Sequence, residues 1–213
     1  MTYEELVHKI ITKEKLDFSR FGDGEMAAVL QTRKKKGAVN ADGHEFFPDM
    51  GERLLEILKR SPSYYIGLQN LAYRQRPETI DALTKKYHLN WCKSDILHYA
   101  NINGRLGVFM EALKDRDVLL VGPKHLYPLV KKEGWYTVPV PDKNAWLEYD
   151  TIHENIKALL PLKEWVVLYC CGMSAGIYID DFQGLATQID CGSIFDPYVG
   201  VHSRSYHKTL NLE

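Results

Sequence analysis

Residues 16–25 read Leu-Asp-Phe-Ser-Arg-Phe-Gly-Asp-Gly-Glu, and this stretch decides how the chain begins its fold. Its first six residues alternate with the two-residue period of a β-strand, and the run stops at Gly22. Because Gly22 and Gly24 adopt backbone angles that other residues resist, the chain turns there and presents Asp23 and Glu25. The stretch therefore predicts a strand with two carboxylates at its carboxyl end.

Two carboxylates in this position are typical of a site for a hard cation. With only a glycine between them, Asp23 and Glu25 converge on one ion, and their oxygen ligands favour Mg²⁺ or Mn²⁺. Such ions keep open positions for substrate phosphates, so the pattern points to a phosphate-bearing substrate. The alternative is local: Asp23 caps a helix that follows Gly22, and Glu25 stabilises the first turn of that helix electrostatically.

The rest of the chain alternates between strand-like and helical patterns. A capping box at Thr2-x-x-Glu5 starts a helix that runs to about Lys13. Strands are predicted at 16–21, 64–68, 118–121, 136–140, 165–170 and 187–190, and helices at 49–60, 77–87, 126–133 and 144–159. Continuous apolar runs favour parallel strands that are covered on both faces. We therefore predict an α/β fold, a Rossmann-like three-layer sandwich with a mostly parallel sheet.

Several polar residues and glycines follow the predicted strands, at the edge of the sheet where ligands of such folds bind. A glycine turn that leads into a helix exposes backbone N–H groups to phosphate, and a basic side chain there neutralises a diphosphate. The candidates for donor binding are Arg20, Gly22, Gly122, Lys124, Lys143, Asn144, Gly172 and Ser174. The alternatives are structural: an ion pair for Arg20, solvation for Lys124, a helix cap for Asn144, and turn geometry for the glycines and Ser174.

The phrase Arg-Phe-Gly-Asp-Gly-Glu at residues 20–25 resembles the GT-D glycosyltransferases. Looser similarities follow at 121–124, 138–150, 171–175 and 189–193, so the resemblance spans about residues 16–196. It implies a glycosyltransferase that moves a sugar from a nucleotide-diphosphate sugar to a hydroxyl acceptor. In that family the Asp-X-Glu motif binds the divalent metal that holds the diphosphate, which assigns this role to Asp23 and Glu25. The resemblance also implies that Lys143 and Asn144 line the nucleotide side of the cleft.

The stretch from 190 to 207 is rich in catalytic residue types, and we expect it to cross the mouth of the cleft. If transfer inverts the sugar, a base must take the proton of the acceptor hydroxyl. Asp196 and His202 are the candidates for this base, and Arg204 lies beside them in the sequence. This chain has Ser193 where relatives can carry a histidine, so no base of the family transfers directly to it.

The acceptor is suggested by two different observations. The resemblance implies sugar chains on proteins or envelope polymers. Four consecutive cations at 33–36, with Tyr64, Tyr65, Tyr73, Arg74 and Arg76 further along, instead suit a nucleic acid such as modified DNA, although a solvated helix end explains the cations as well. Two other functions share these features: a metal-dependent phosphohydrolase acting on nucleotide-type substrates, and a non-catalytic nucleotide- or nucleic-acid-binding protein.

Composition is that of an ordinary globular domain. The chain has 213 residues, of which 45% are hydrophobic and 26% charged, and no glycine- or serine-rich linker divides it, so we predict a single domain over 1–213. The net charge of −1 gives no global attraction to nucleic acid or to an anionic membrane. The acidic amino terminus lacks an apolar signal core, which predicts a cytoplasmic protein. We interpret the four cysteines as reduced thiols, with a nucleophilic cysteine as the alternative.

Overall fold

The computed structural model describes residues 1–30, 38–39, 43–68, 82, 84–159, 164–204, 207 and 210. Its strands are β1 (Asp17–Phe21), β2 (Tyr65–Leu68), β3 (Trp91–Lys93), β4 (Val118–Pro123), β5 (Tyr136–Val140), β6 (Val166–Tyr169) and β7 (Thr187–Asp190). Its helices are α1 (Tyr3–Ile11), α2 (Asp23–Val29), α3 (Pro48–Lys59), α4 (Ile96–Ile102), α5 (Leu106–Leu113), α6 (Tyr127–Glu133), α7 (Tyr149–Lys157) and α8 (Ala175–Asp181). Short 3₁₀ turns lie at Lys124–Leu126, Ala145–Glu148, Gly172–Ser174 and Asp196–Val199.

The described strands form one seven-stranded sheet in the order β3-β2-β1-β7-β6-β4-β5. Every neighbouring pair in this sheet is parallel. The predicted α/β fold with a Rossmann-like layering is therefore confirmed, and the sheet is wholly parallel where it was expected to be mostly so.

The side chains of the central strands point alternately into two apolar layers. In β4, Leu119 and Val121 pack with α2, α3, α7 and α8 on a first face, whereas Val118 and Leu120 pack with α1, α4, α5 and α6 on a second face. All four side chains are at most 1% exposed. Burial on both faces explains why such strands appear in the sequence as unbroken apolar runs.

The six strands predicted from periodicity are all present, and the ranges 136–140 and 187–190 match exactly where β5 and β7 begin and end. The predicted strand 118–121 is longer than expected, because β4 continues through Gly122 and Pro123. The sequence patterns missed β3, an edge strand of three residues, which is too short to establish a period. They also missed α4 and α5, and most of the helix predicted at 77–87 lies outside the described residues.

The connections at the carboxyl ends of the central strands leave the sheet on alternating faces. The chain leaves β1 and β6 toward α2 and α8 on the first face, and it leaves β4 and β7 toward α6 and Phe195 on the second. Because these four strands are adjacent in the order β1-β7-β6-β4, their connections part on either side of the sheet edge. A crevice of this kind is where open α/β sheets bind ligands.

A polar network joins β1, β6 and β7 inside the first face. Gln188, which is 0% exposed, donates from Nε2 to Asp17 Oδ1 at 2.8 Å and to the carbonyls of Ile179 and Phe182 at 3.1 and 2.9 Å. Its Oε1 accepts from the hydroxyl of Tyr169 at 2.8 Å. The amide is thus satisfied on both ends, which is the condition for a buried polar group to stabilise a core.

Candidate functional site

The turn after β1 places both predicted metal ligands in the first turn of α2. Gly22 is the N-cap residue of this helix in an extended conformation, Asp23 is the first helical residue and Glu25 the third. The N–H of Gly22 donates to Glu25 Oε2 at 2.9 Å, so Glu25 does support the helix start. The alternative in which Asp23 caps α2 is wrong, because Gly22 occupies that position.

Asp23 and Glu25 lie in the same helical turn but differ in exposure. Asp23 is exposed, whereas Glu25 is partly buried. Asp190 ends β7, the strand that pairs in parallel with β1, and both Asp190 and Asp23 raise the pKa of Glu25. We call Asp23, Glu25 and Asp190 the acidic pocket, because they share the carboxyl edge of β1 and β7.

Arg20 lies against the acidic pocket and is held there by two elements. Its Nε donates to the carbonyl of Ser94 at 3.0 Å, its guanidinium is 3.9 Å from Asp190 Oδ1, and its backbone N–H donates to Asp190 Oδ2 at 3.2 Å. The backbone N–H of Gly192 donates to Asp190 Oδ1 at 3.0 Å. The expected structural ion pair of Arg20 is therefore present, and its partner is Asp190.

Burial makes the acidic pocket electrostatically costly. Desolvation raises the pKa of Glu25 to about 7, the charge of Asp190 adds to this rise, and Arg20 opposes it. Desolvation likewise raises the pKa of Asp190 to about 6, against the lowering effect of Arg20. A single guanidinium thus leaves the negative charge of the pocket only partly compensated.

The acidic pocket offers the carboxylate oxygens that a hard divalent cation prefers, but it does not surround an ion with protein ligands. Its ligands are carboxylate oxygens whose mutual repulsion a cation relieves. Within the described part of the chain, however, no group of three His, Cys, Asp or Glu side chains is arranged to hold a metal ion. Magnesium-type ions commonly use one or two protein carboxylates together with substrate phosphates, and the pocket offers a site of that kind.

The predicted nucleotide-side residues lie beyond β5, against the segment around His44. Asn144 adopts a left-handed backbone with φ of 58°, and its Oδ1 accepts from the N–H of Glu45 at 2.8 Å. The N–H of Asn144 donates to His44 Nδ1 at 3.4 Å. Lys143 is exposed and extends toward Gly43. The side-chain oxygen of Asn144 is therefore already used to hold the two segments together.

The turn after β6 contains two further candidates, Gly172 and Ser174. Gly172 has φ of +64° and begins a 3₁₀ turn, with the imidazole of His44 packed against it. Ser174 is 2% exposed, and its hydroxyl donates to the carbonyl of Cys171 at 3.0 Å. Ser174 and Asn144 line one small pocket, so the structure brings these two predicted residues together.

The turn after β4 differs from the prediction. Gly122 lies inside β4 and not in the turn that follows this strand. A Cβ at this position would lie 3.2 Å from Cys170 Cβ and 3.3 Å from Leu126 Cδ1. The role of Gly122 in the described structure is close packing. Lys124, by contrast, is exposed at the start of the following 3₁₀ turn.

Asp196, in the predicted catalytic stretch after β7, belongs to a histidine–carboxylate cluster that the sequence did not predict. His125 Nε2 lies 3.0 Å from Asp196 Oδ1, and the hydroxyl of Ser203 donates to Asp196 Oδ2. His125 Nδ1 lies 3.5 Å from Asp142 Oδ1. The only signal for His125 in the sequence was its place directly after Lys124, in a turn that follows an apolar strand.

The other two predicted catalytic residues lie along the same stretch. Arg204 donates from Nε to Ser193 Oγ at 3.3 Å and from its backbone N–H to His207 Nδ1 at 3.3 Å. His202 is exposed, and its charge contributes to the lowered pKa of His207. Neither contact links these residues to the acidic pocket.

The four cysteines are free and buried, as the interpretation of reduced thiols requires. Burial raises the pKa of Cys92 to about 11 and holds the pKa values of the other three thiols even further above the ordinary range. A thiol with a raised pKa is a poor nucleophile at neutral pH, which disfavours the alternative of a catalytic cysteine.

Three further observations concern regions outside the candidate site. The cations at 33–36 and the residues Tyr73, Arg74 and Arg76 lie outside the described residues. In the part of the chain that the structure describes, no helix is both long and apolar enough to cross a membrane. A cavity of about 480 Å³ at the β3 edge, next to Trp91 and Tyr99, is lined by none of the predicted site residues.

The whole fold is similar to that of solved structures of the domain of unknown function 1792. One of them is described as a highly conserved domain with a distinct glycosyltransferase fold, and it has a TM-score of 0.71 at 17% sequence identity. The other is a selenomethionine-substituted structure of that domain, with a TM-score of 0.70 at 17% identity. In both cases the match covers 100% of this chain and 90% of the other.

No protein-family model and no curated protein matches the chain. At 17% identity the structural likeness establishes the fold, and the resemblance to the GT-D glycosyltransferases is confirmed at that level. The chain therefore has a glycosyltransferase fold, and its acidic pocket lies at the carboxyl edge of the sheet of that fold.

Proposed function

We propose that the protein is a metal-dependent glycosyltransferase that moves a sugar from a nucleotide-diphosphate sugar to a hydroxyl acceptor. One observation carries the proposal: within a glycosyltransferase fold, the acidic pocket lies at the end of β1, in the crevice where the connections of the central strands part. Carboxylates at the ligand-binding edge of such a sheet suit a cation that holds phosphates.

Asp23 and Glu25 would hold Mg²⁺ or Mn²⁺, and Asp190 adds a third negative charge beside them. The bound ion would supply charge neutralisation for the departing nucleoside diphosphate. Arg20, which is held by Ser94 and Asp190, would donate from its remaining N–H groups to the diphosphate. Lys124, Lys143 and the backbone of the Gly172 turn are the further candidates for donor contacts.

The acceptor that we propose is a sugar chain, such as the glycan of a glycoprotein. A DNA acceptor rests on the basic stretch at 33–36 and on the aromatic and basic residues further along. Of these, the structure describes Tyr64, which is buried, and Tyr65, which is partly buried. A phosphohydrolase would use the same acidic pocket, but it would release its products to water whether or not an acceptor is present. Transfer to an acceptor is therefore the property that separates the two enzyme classes.

Calorimetric titration with a panel of nucleotide sugars tests the proposal most directly. We expect one nucleotide family to bind in the presence of Mn²⁺, and binding to disappear with a chelator and in the Glu25→Gln variant. Glu52→Gln is the matched control, because it makes the same chemical change at an exposed position of α3 and should leave binding unchanged. Absence of binding by the unmodified protein across the whole panel would contradict the donor site.

The Glu25→Gln variant also separates metal binding from the helix-start role of Glu25. A glutamine retains an oxygen that accepts from the N–H of Gly22, so α2 should form and the circular dichroism spectrum should not change. Unfolding of the variant would instead mean that Glu25 is needed to start α2, and that its role is not to bind a metal ion.

A further inference from the structure

We propose that His125, positioned by Asp196, accepts the proton of the acceptor hydroxyl; this inference rests on the glycosyl transfer proposed above. Sequence reasoning placed the base at Asp196 or His202. Asp196 is 6% exposed, and its two oxygens are engaged by His125 and Ser203, so it is not available to an acceptor. His202 has no contact that directs it toward the crevice among those described above.

The pairing with Asp196 determines which nitrogen of His125 carries the hydrogen. A carboxylate only accepts hydrogen bonds, so in the neutral imidazole the hydrogen lies on Nε2, 3.0 Å from Asp196 Oδ1. Nδ1 is then left with a lone pair. An aspartate that fixes the tautomer of a histidine and stabilises its protonated form is the arrangement that makes histidine an effective general base.

The Nδ1 side of His125 is the side that opens to solvent. The histidine side chain is 30% exposed, and the charged group near Nδ1 is Asp142, at 3.5 Å, whose own side chain is 77% exposed. With the hydrogen of the neutral ring on Nε2, the lone pair of Nδ1 faces the Asp142 carboxylate, and no hydrogen bond holds Asp142 in place there. An arriving hydroxyl therefore displaces Asp142 from Nδ1 at small cost, whereas the buried contact to Asp196 persists.

The position of His125 in the sheet suits an acceptor that approaches the sugar of the donor while the acidic pocket holds the diphosphate. His125 directly follows β4, which is three strands from β1, and parallel strands lie about 4.8 Å apart, so the two strand axes are about 14 Å apart. β6 pairs in parallel with β4, which precedes His125, and with β7, which ends at Asp190, so the histidine and the acidic pocket follow strands on either side of β6 at the same edge of the sheet.

The step is a single displacement in which atoms and charges balance. The acceptor oxygen forms a bond to the anomeric carbon and loses its proton to Nδ1 of His125. The bond from that carbon to the phosphate oxygen breaks, and the nucleoside diphosphate leaves with the electron pair. His125 becomes an imidazolium that Asp196 stabilises, and the anomeric configuration inverts.

The test combines donor binding, turnover and the state of the imidazole. The His125→Gln variant should bind the nucleotide sugar as the unmodified protein does, in the presence of Mn²⁺. Its rate of cleavage at the anomeric carbon, with water in place of the acceptor and free sugar of inverted configuration as the product, should fall by about 10²–10⁴-fold with an unchanged KM; a phosphohydrolase would release a sugar phosphate instead. His8→Gln, an exposed histidine on α1, is the matched control and should retain full turnover.

Asp196 is a positioning residue, and its test uses a readout that folding alone does not move. Nitrogen-15 NMR of the unmodified protein should show His125 with its hydrogen on Nε2, and the Asp196→Asn variant should lose this preference along with turnover. The proposal is overturned if His125→Gln keeps its turnover within about threefold, or if the hydrogen of the neutral ring lies on Nδ1. Failure of the unmodified protein to bind any donor overturns the glycosyl-transfer function itself, and the proposal with it.

Discussion

Two aspartates at opposite ends of neighbouring strands show how one residue type serves structure in one place and chemistry in another. Asp17 begins β1, and its oxygens accept from Gln188 Nε2 at 2.8 Å and from the N–H of Gly184 at 3.0 Å. Asp190 ends β7, and its oxygens accept from the N–H groups of Arg20 and Gly192 at 3.2 and 3.0 Å. Each carboxylate has two donors, and burial raises the pKa of both.

The difference between the two lies in their neighbours. Asp17 faces an amide network that satisfies each of its members, whereas Asp190 shares its surroundings with a second carboxylate, Glu25. A carboxylate whose surroundings are fully hydrogen-bonded stabilises the fold, whereas a carboxylate that is repelled by a second one can bind a cation that relieves the repulsion. The two residues also differ in position: Asp190 lies at the carboxyl edge of the sheet, where ligands bind, whereas Asp17 lies at the opposite edge.

The largest effect should come from breaking the amide network. Gln188→Leu keeps the side-chain volume but leaves Asp17, the Tyr169 hydroxyl and two carbonyls without their partner, so we expect the free energy of unfolding to fall by about 4 kcal/mol. Urea denaturation measures this loss. The control is Gln183→Leu, at an exposed glutamine with one contact to Ser63, which should cost less than about 1 kcal/mol. Equal losses in the two variants would mean that the network contributes no stability of its own.

An intermediate effect should follow from displacing Arg20 from the acidic pocket. A Cβ on Gly192 would overlap the Arg20 guanidinium, and Gly192 also has φ of +55°. We expect Gly192→Ala to lower the free energy of unfolding by about 2–3 kcal/mol and to weaken donor binding.

Gly200→Ala separates the two causes of that loss. Gly200 has φ of +76°, and a Cβ there meets nothing within 4 Å, so the variant reports the backbone cost alone. If both variants lose the same stability and both bind donor normally, the contact between Gly192 and Arg20 is unimportant.

A smaller effect should come from Asp190→Asn. Removing this charge relieves the repulsion of Glu25, but the asparagine has a single acceptor oxygen for the N–H groups of Arg20 and Gly192. These opposed effects should leave the free energy of unfolding in chelator within about 1 kcal/mol of that of the unmodified protein. The thermal stabilisation that Mn²⁺ gives the unmodified protein should shrink in the variant, because the pocket attracts the cation less strongly. A marked destabilisation would place Asp190 in the same structural class as Asp17.

The smallest effect should be seen in the pH dependence of stability at Asp17. Burial raises its folded-state pKa above the unfolded value of 3.8, against the lowering effect of its two donors. The unfolded chain therefore ionises first, and the stability that this residue contributes declines as pH rises from about 4 through the folded-state pKa. Asp17→Asn should remove this decline, which the difference between the two urea-denaturation series across that pH range would show. A constant difference would mean that Asp17 has no raised pKa.

Local pattern was sufficient for six of the seven described strands and for the position of two acidic residues at the end of the first. The alternation in residues 16–21, the stop at Gly22 and the apolar run at 118–121 are properties of neighbouring residues, and they identified β1, the start of α2 and β4. The same patterns gave a wrong end for β4 and missed the three-residue β3, because the ends of elements depend on what packs against them. At Gly122 the close approach of Cys170 leaves little room for a side chain, and no local signal reports that approach.

The sequence by itself determined that this is a parallel α/β protein with two carboxylates at the end of its first strand. Only the tertiary structure decided which side chains act together there. Arg20 and Asp190 are 170 residues apart, and His125 and Asp196 are 71 apart, yet each pair is in contact. The physical reason is that periodicity records whether a residue faces the core, whereas partnership across a sheet depends on strand order, which is settled by the packing of the whole chain.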